Sequence, residues 1–390
     1  MNRSSLYTRD FVLASLAYFF VFLSVSVFYL FPLYLEQFHP SKSRVGLIMG
    51  IHSVTAIMVR PLFGRVLDKR GGRVVAIAGL LIMILSIPGF YLVQNAGWLA
   101  LALRAINGIG WGVSTTALMA ICSEIAPPEK MAHTLGIIGA AGIVAGAAGP
   151  MLAEEIFRRY DFHTVFTVGA IMLTASIACV IVIREKFRKN APRDSGSFTG
   201  LKSYPLWILL IIAAMPIAHG AVRGSVLNFI ALFGNSIGFE RIAPFFMTFS
   251  VAAILTRIGV GDISDRYGRK RVIFPSAIVI GLNLFWIAGI HSYTWFLVTG
   301  FIAGLGQGLI FPALSTYVID FMGRANKGLA LGLYLSLFDV GMGLGSPFFG
   351  WISDISGYRW MYAIAGGLIL VLTCVFSFKA PAIPSSGNVS

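Results

Sequence analysis

Charge is what this sequence has least of. Only 12% of its 390 residues are Asp, Glu, Lys or Arg, whereas 57% are hydrophobic, and the mean hydropathy is +0.82. About a quarter of the residues of an ordinary soluble domain are charged. So few charges do not cover a water-facing surface, and the sequence therefore predicts a protein whose solvent is lipid.

Cysteines and nucleotide-binding motifs are equally scarce. The three cysteines, Cys122, Cys179 and Cys374, lie far apart in apolar runs, which excludes a disulfide framework and a zinc site. The phosphate-binding pattern Gly-x-x-x-x-Gly-Lys-Ser/Thr does not occur. No segment outside the apolar runs is long enough to fold as a catalytic domain, so we expect neither a cofactor nor a metal, and not an enzyme.

Acidic residues are also few, 16 against 30 Lys and Arg, which gives a net charge of +14. The basic residues cluster in alternate loops, such as Lys69 to Arg73 and the stretch 184–193. Loops rich in Lys and Arg stay in the cytoplasm. This distribution predicts a multi-pass protein of the bacterial inner (cytoplasmic) membrane with both termini in the cytoplasm, and it explains the charge without a nucleic-acid partner.

Apolar runs of membrane-spanning length are what the sequence has in abundance. A helix needs about 20 apolar residues to cross a bilayer. The first run is too long for a secretory signal, so we expect it to be retained as a helix. Twelve runs meet the criterion, roughly 11–35, 43–67, 74–94, 97–123, 130–155, 163–184, 204–234, 240–262, 272–290, 294–320, 326–353 and 357–379.

An internal repeat divides these spans into two halves. The segment Gly64-Arg-Val-Leu-Asp-Lys-Arg-Gly-Gly-Arg73 recurs 197 residues later as Gly261-Asp-Ile-Ser-Asp-Arg-Tyr-Gly-Arg-Lys270. The same interval relates Arg60 to Arg257 and Pro150 to Pro347. We therefore expect an all-α polytopic protein of two pseudo-symmetric six-helix bundles, residues 1–184 and 204–390, joined by a cytoplasmic linker, 185–203.

These features resemble the major facilitator superfamily of transporters, in which two six-helix halves are related by an axis along the membrane normal. The repeated loop motif is typical of that family. The segment Leu101-Ala-Leu-Arg-Ala-Ile-Asn-Gly-Ile-Gly110 resembles its fourth-helix motif, and Gly142-Ile-Val-Ala-Gly-Ala-Ala-Gly-Pro150 resembles the fifth-helix motif of its drug and metabolite efflux branch. The resemblance implies a monomer whose spans 1, 4, 7 and 10 line a central cavity.

The repeated loop is a candidate gate. Asp68 and Asp265 follow spans 2 and 8, where a carboxylate accepts hydrogen bonds from the N-terminus of a facing helix, and the glycines permit close helix approach. The alternative is a passive loop that carries cytoplasmic charge. The predicted gating residues are Gly64, Asp68, Arg73, Gly261, Asp265, Arg266 and Arg269.

Asp339 is the acidic residue placed deepest in a span, about 13 residues from either end of span 11 by the rise of a helix. Ionisable groups at that depth are costly and are therefore functional candidates. We expect Asp339 to carry a proton or to bind substrate; the alternative is a fixed hydrogen-bonding or ion-pairing role. The resemblance implies that Arg104, in span 4, assists proton movement.

Polar and aromatic residues on shared helix faces are the candidate cavity lining. In span 4, Asn107, Trp111 and Thr115 share a stripe with Arg104, and in span 7 His219 and Arg223 are four residues apart. Packing within the bundle is the alternative for each of them. The predicted cavity residues are Arg223, His219, Asn107, Trp111, Thr115, Gln307, His52, Tyr18 and Tyr29.

The combination predicts a secondary active transporter that exports a small amphipathic compound or metabolite in exchange for protons by alternating access. Its partners are a small-molecule substrate, protons and the lipid bilayer. Uptake or exchange of an organic anion and lipid flipping are the alternatives within transport. A membrane-embedded sensor is the alternative from another class.

Overall fold

The structure is a computed structural model that describes residues 8–127, 130–184, 204–260, 267–323 and 327–381. Every regular element within these ranges is helical. This is the expected result in lipid, where a helix satisfies its own backbone hydrogen bonds. The helices are α1 Arg9–Ser26, a 3₁₀ turn Val27–Leu30, α2 Phe31–Glu36, α3 Lys42–Arg70, α4 Gly72–Phe90, α5 Trp98–Ile125, α6 Met131–Arg159, α7 Phe162–Val182, α8 Leu206–Ser236, α9 Ala243–Val260, α10 Arg269–Ala288, α11 Tyr293–Met322 and α12 Lys327–Lys379.

The helices have membrane-spanning dimensions. Ten stretches of the described chain are long and apolar enough to cross a bilayer, and Ala243–Ile258 in α9 is a shorter apolar helix. The 53 residues of α12 comprise two helices, because Gly357 in its interior has a φ of 81°, which is not helical. The chain is thus an all-α multi-pass membrane protein, and its twelve spans remain a prediction.

The chain forms two compact units. The first consists of 1–40 and 51–191, and the second of 41–50 and 192–390. The start of α3 therefore belongs to the second unit and the remainder of that helix to the first. The whole predicted linker, 185–203, lies outside the described residues, and the proposed boundaries of the two halves remain a prediction.

Aromatic packing fixes the end of the first span in unit 1. The ring of Phe28 lies 5.1 Å from that of Phe90 in α4 and 5.7 Å from that of Phe166 in α7. Phe31 contacts the same two rings at 5.5 and 5.9 Å. All four side chains are at most 2% exposed. This cluster holds the 3₁₀ turn, and with it Tyr29, against the rest of the unit.

Glycines allow α3 and α5 of unit 1 to touch backbone to backbone. A side chain on Gly108 would collide with the backbone of His52, and one on Gly112 would collide with that of Ala56. Beside this contact, the Thr55 hydroxyl donates a hydrogen bond to the Ala105 carbonyl at 2.9 Å. The close approach sets His52 beside the polar stripe of α5.

Unit 2 uses the same device between α8 and α12. Gly220 faces the backbone of Phe338, and Gly341 faces that of Ile217. Asn228 Nδ2 then donates to Ser346 Oγ at 2.6 Å. This contact of α8 with α12 lies beside the residues of these helices that the sequence predicts as functional, His219, Arg223 and Asp339.

The repeat has a backbone signature. Gly71 and Gly268, 197 residues apart, precede α4 and α10, and both have a positive φ, 84° and 91°. Side chains other than glycine rarely adopt this conformation. The same sharp entry into a helix thus occurs at equivalent positions of the two repeated segments.

Candidate substrate and coupling sites

Arg104 lies buried inside unit 1. Its side chain is 3% exposed, and its guanidinium carbon lies 5.3 Å from the centroid of the Phe28 ring. Nε and Nη1 are buried without a hydrogen-bond partner. Among the described residues, no carboxylate forms an ion pair with Arg104. A cation therefore lies in the interior against an aromatic face and without a carboxylate partner in the described part of the chain.

Two further polar groups surround Arg104. His52 of α3 is 6% exposed, and neither ring nitrogen has a hydrogen-bond partner. Asn107, one turn after Arg104, donates from Nδ2 to Ser86 Oγ at 3.4 Å, while its Oδ1 has no partner. His52 lies within electrostatic range of Arg104. We call Arg104, His52 and Asn107 the α5 polar cluster.

Of the four remaining predicted residues of unit 1, three are aromatic, and their rings lie around this cluster. The Trp111 ring lies 6.0 Å from that of His52 and 4.5 Å from that of Phe22, which in turn packs on the Tyr18 ring at 4.5 Å in a tilted arrangement. Tyr29 lies within electrostatic range of Arg104. Thr115 differs from these, because its hydroxyl donates to the Trp111 carbonyl of its own helix at 2.7 Å and so needs no ligand.

In unit 2, His219 and Gln307 form a direct pair. His219 Nε2 lies 2.7 Å from Gln307 Oε1, and because that oxygen is an acceptor, Nε2 donates. The His219 ring is 1% exposed and lies 5.0 Å from that of Phe338. The sequence predicted both residues as cavity lining, and the structure joins them across α8 and α11.

A small cavity opens beside this pair. Its polar lining comprises His219, Arg223, Gln307 and Asn283, from α8, α10 and α11. The Arg223 guanidinium carbon lies 4.3 Å from the centroid of the Phe249 ring, which also lines the cavity. Asn283 was missed by sequence reasoning, since a single amide in an apolar span gives no motif. Arg223 therefore lines a cavity inside unit 2.

Asp339 lies in α12, twelve residues after the helix begins, and is partly buried. It follows Phe338, whose ring packs on His219. Asp339 and Arg257 both lie within electrostatic range of the fully buried Tyr334 hydroxyl. The deep carboxylate and the His219–Gln307 pair therefore belong to the same region of unit 2.

The predicted gate is only partly described. The side chain of Asp68 and the residues Gly261, Asp265 and Arg266 lie outside the described residues, and Arg73 is partly exposed at the start of α4. A side chain added at Gly64 would meet open space. Gly64 therefore makes no close helix contact within the described residues, and its part in gating remains a prediction.

Arg269, the last predicted gating residue, has a well-defined partner. Its Nε lies 3.1 Å from Asp320 Oδ2, and the two side chains are 7% and 10% exposed. This buried ion pair ties the start of α10 to the end of α11 within unit 2. A contribution to gating remains a prediction, whereas a contribution to packing follows directly from the geometry.

A second carboxylate at a helix end was missed. Asp354 Oδ1 accepts a hydrogen bond from the Lys42 backbone N–H at 2.6 Å, and Oδ2 accepts one from that of Ser43 at 2.9 Å. All three residues belong to unit 2. Asp354 thus caps the N-terminus of α3, whose first N–H groups have no partner within the helix.

The family model described as "Major Facilitator Superfamily" matches residues 14–266 and 245–389, nearly the whole chain. The chain belongs to the Major Facilitator Superfamily. Membership makes it a membrane transporter rather than an enzyme, in agreement with the sequence prediction.

Curated relatives of this superfamily member carry the names of exporters. The chain is 21% identical over 374 residues to the staphylopine export protein of Staphylococcus aureus, with 90% of each chain covered. It is 26% identical over 364 residues to the multi-drug resistance efflux pump PmrA of Streptococcus pneumoniae, with 89% of each covered. The multidrug resistance protein MdtG of Escherichia coli is 23% identical over 365 residues, with 90% of this chain and 88% of that protein covered.

Solved structures share the fold. The nucleoside transporter NupG superposes with a TM-score of 0.78 at 16% identity, covering 95% of this chain and all of that one. The human organic anion transporter MFSD10 superposes with a TM-score of 0.70 at 16% identity, covering 94% and 98%. At such identities the likeness establishes the major facilitator fold alone.

Proposed function

We propose that this transporter exports a small amphipathic compound from the cytoplasm in exchange for protons by alternating access. The relatives that share about nine-tenths of its length are named as exporters and multidrug resistance proteins. We place it in the bacterial inner membrane with both termini in the cytoplasm, because Lys and Arg are concentrated in the loops on the side of the N-terminus. We also propose that it is a monomer, as the family resemblance implies.

The observation that carries proton coupling is the position of Asp339. A carboxylate twelve residues into a membrane helix is costly unless its charge is balanced or neutralised by a proton. Arg257 shares its electrostatic neighbourhood around Tyr334. When Asp339 takes up a proton its attraction to a cation weakens, and when it releases the proton the attraction returns. That change links protonation to helix packing in unit 2.

Alternating access requires two halves that move against each other. We assign this motion to the repeated segments 1–184 and 204–390, linked by 185–203. The repeated motif around Asp68 and Asp265 would hold the cytoplasmic ends of spans 2 and 8 in one of the two states. The glycine-lined contacts of α3 with α5 and of α8 with α12 support rigid bundles that rock as units.

Exchange or uptake of an organic anion is the second candidate, and the observation that favours it is the unpaired Arg104. Both functions use the same fold and differ in the direction of net flux and in the charge of the cargo. Lipid flipping has less support, since no feature of the described residues favours it.

The test uses inside-out membrane vesicles with an acidic lumen, which drives export into the vesicle. Radiolabelled phenethylamine, phenylacetate and methyl phenylacetate supply a cation, an anion and a neutral compound of similar size. We expect at least one of them to accumulate above the level in vesicles that lack the transporter, where an acidic lumen already traps the weak base phenethylamine, and we expect this excess to collapse on adding a protonophore. Accumulation that survives the protonophore would contradict proton coupling, and no accumulation of any of the three in wild-type vesicles would contradict the proposed export.

The matched variants are Asp339→Asn and Asp161→Asn. Asp161 is an exposed carboxylate that caps α7 through the Thr164 N–H, and this hydrogen bond is the main cause of its lowered pKa. We expect Asp339→Asn to abolish proton-driven accumulation and Asp161→Asn to retain it. Equal loss in both variants would attribute the effect to general damage and contradict a coupling role for Asp339.

A further inference from the structure

The α5 polar cluster of unit 1 has buried donors and acceptors that nothing in the described protein satisfies. Arg104 contributes two buried guanidinium nitrogens without a hydrogen-bond partner, and both ring nitrogens of His52 are equally unsatisfied. Buried polar groups are almost always hydrogen-bonded. Several unsatisfied atoms within one cluster therefore mark a place that is completed by a group from outside the chain.

The charge of the missing group follows from Arg104. A guanidinium stays protonated at any physiological pH. Burial of an unpaired charge carries a desolvation cost that a counter-ion repays. A water molecule supplies hydrogen bonds to Nε and Nη1 but leaves the positive charge unbalanced, whereas an oxyanion supplies both.

The surroundings of Arg104 favour an anion over a cation. Arg60, from the same helix as His52, also lies within electrostatic range of the His52 ring. The partner of Asn107 Nδ2 is a hydroxyl and that of Arg104 is an aromatic face. Within the described residues, no carboxylate forms an ion pair or a hydrogen bond with the α5 polar cluster. A cationic cargo would find repulsion here.

The cluster is within reach of a ligand. Arg104, His52 and Asn107 are buried, but the flanking Trp111 and Tyr29 are partly exposed. Trp111 packs on both His52 and Phe22. An amphipathic cargo can therefore lay its apolar part on these rings while its polar end reaches the arginine.

We propose that Arg104, assisted by the N–H of the His52 ring and by the second N–H of Asn107 Nδ2, binds an oxyanion group of the transported compound, a carboxylate or a phosphate. The inference rests on the proposed transport function and names the chemistry of its cargo. It gives Arg104 a role in binding the cargo, distinct from the proton movement that the family resemblance implies.

Thermal unfolding of the purified full-length protein in detergent tests this assignment. The probes are phenylacetate, phenyl phosphate, methyl phenylacetate and phenethylamine, which share a phenyl group and differ in charge. We expect phenylacetate or phenyl phosphate to raise the melting temperature with increasing concentration, and the ester and the amine to leave it unchanged. Which of the two anions acts distinguishes a carboxylate from a phosphate site.

The decisive variant is Arg104→Met. If Arg104 is an anion-binding residue, the substitution removes a buried charge that is unbalanced in the ligand-free protein, and the ligand-free melting temperature rises. Stabilisation by the anion then falls at least tenfold. If Arg104 instead holds the bundle together, the ligand-free protein becomes less stable. The sign of the change without ligand therefore separates binding from a structural role. His52→Gln should weaken the anion effect severalfold without abolishing it.

Arg159→Gln is the control for lost charge, because Arg159 is 70% exposed and paired with Glu155 one turn away. We expect its response to the anions to match that of the wild type. The inference is overturned if neither anion stabilises the wild type, or if either stabilises Arg104→Met equally well. Stabilisation by phenethylamine alone would overturn it while leaving the proposed export standing, since vesicle accumulation is measured separately.

Discussion

The two units treat their buried polar groups differently. In unit 2, His219 is hydrogen-bonded to Gln307 and Arg269 is ion-paired with Asp320. In unit 1, Arg104 and His52 are as deeply buried, yet their nitrogens have no such partners in the described chain. The compared groups of unit 2 thus have partners within the chain, and those of unit 1 have none among the described residues, although unit 2 also holds buried atoms without a partner, such as His219 Nδ1 and Asn283 Oδ1.

This difference suggests a division of labour. The hydrogen-bonded His219–Gln307 pair in the region of Asp339 suits a site that responds to a proton, because the two side chains hold each other in place whether or not cargo is present. An incomplete cationic cluster suits a site that is filled and emptied in each cycle. The following predictions test the contrast between paired and unpaired groups, from the largest expected effect to the smallest.

Removing Arg269 from its ion pair with Asp320 should strongly destabilise the protein. Arg269→Leu leaves Asp320 buried without its counter-ion, which costs about 3–5 kcal/mol of folding free energy for a buried pair. We expect a large fall in the melting temperature in detergent. The double variant Arg269→Leu with Asp320→Leu should recover most of the loss, and Arg159→Leu at an exposed pair should change little. A single variant as stable as the double would contradict the assignment.

Overpacking the helix contact behind the α5 polar cluster should come next. Gly108→Ala places a methyl group against the His52 backbone, and such overpacking costs about 1–3 kcal/mol. It also moves His52 relative to Arg104, so anion binding should weaken together with stability. Gly332→Ala is the control, since a side chain there meets open space. Equal behaviour of the two variants in thermal unfolding would argue against the close contact.

Breaking the neutral pair in unit 2 should have a smaller effect. Gln307→Leu leaves His219 Nε2–H buried without its acceptor, and an unsatisfied buried group costs about 1–3 kcal/mol. The combination of His219→Leu with Gln307→Leu should be closer to the wild type than the single variant. Thermal unfolding of the three variants measures this coupling, and simple additivity of the two losses would mean that the pair does not exist.

The smallest effect is expected at Thr115. Its hydroxyl is satisfied by the Trp111 carbonyl of its own helix, so Thr115→Val should change melting temperature and anion binding only slightly, within about 0.5 kcal/mol, as for substitutions that leave no group unsatisfied. Asn107→Leu, at the other end of the stripe, should weaken anion binding clearly. A loss of binding in Thr115→Val as large as in Asn107→Leu would return Thr115 to the site.

Much of this architecture follows from the sequence, because helix length and charge in loops are local properties. The repeat around Gly71 and Gly268 appears in the backbone as two positive φ angles at equivalent positions. The shared face of α5 predicted from the spacing of Arg104 and Asn107 corresponds to two buried side chains in the structure, and their role in a cavity remains a prediction. Periodicity, however, does not say whether a hydroxyl bonds its own backbone, which is why Thr115 was included with the cavity residues.

Contacts between distant segments were beyond sequence reasoning. The cap that Asp354 provides to Lys42 joins residues 312 positions apart, and no local pattern reveals which helix N-terminus a carboxylate meets. The burial of Asn283 beside Arg223 also depends on how α8 and α10 pack. At Gly64 the sequence motif predicted close helix packing, whereas a side chain there would meet open space among the described residues. A motif alone does not say how far apart two helices lie.

The most direct test of the division of labour is to record proton flux and cargo exchange in the same proteoliposomes. A trapped pH dye reports protons while labelled phenylacetate or phenyl phosphate, whichever binds, reports cargo. We predict coupled flux in the wild type, cargo exchange without proton flux in Asp339→Asn, and neither in Arg104→Met. Proton flux in Asp339→Asn equal to that of the wild type would contradict the account.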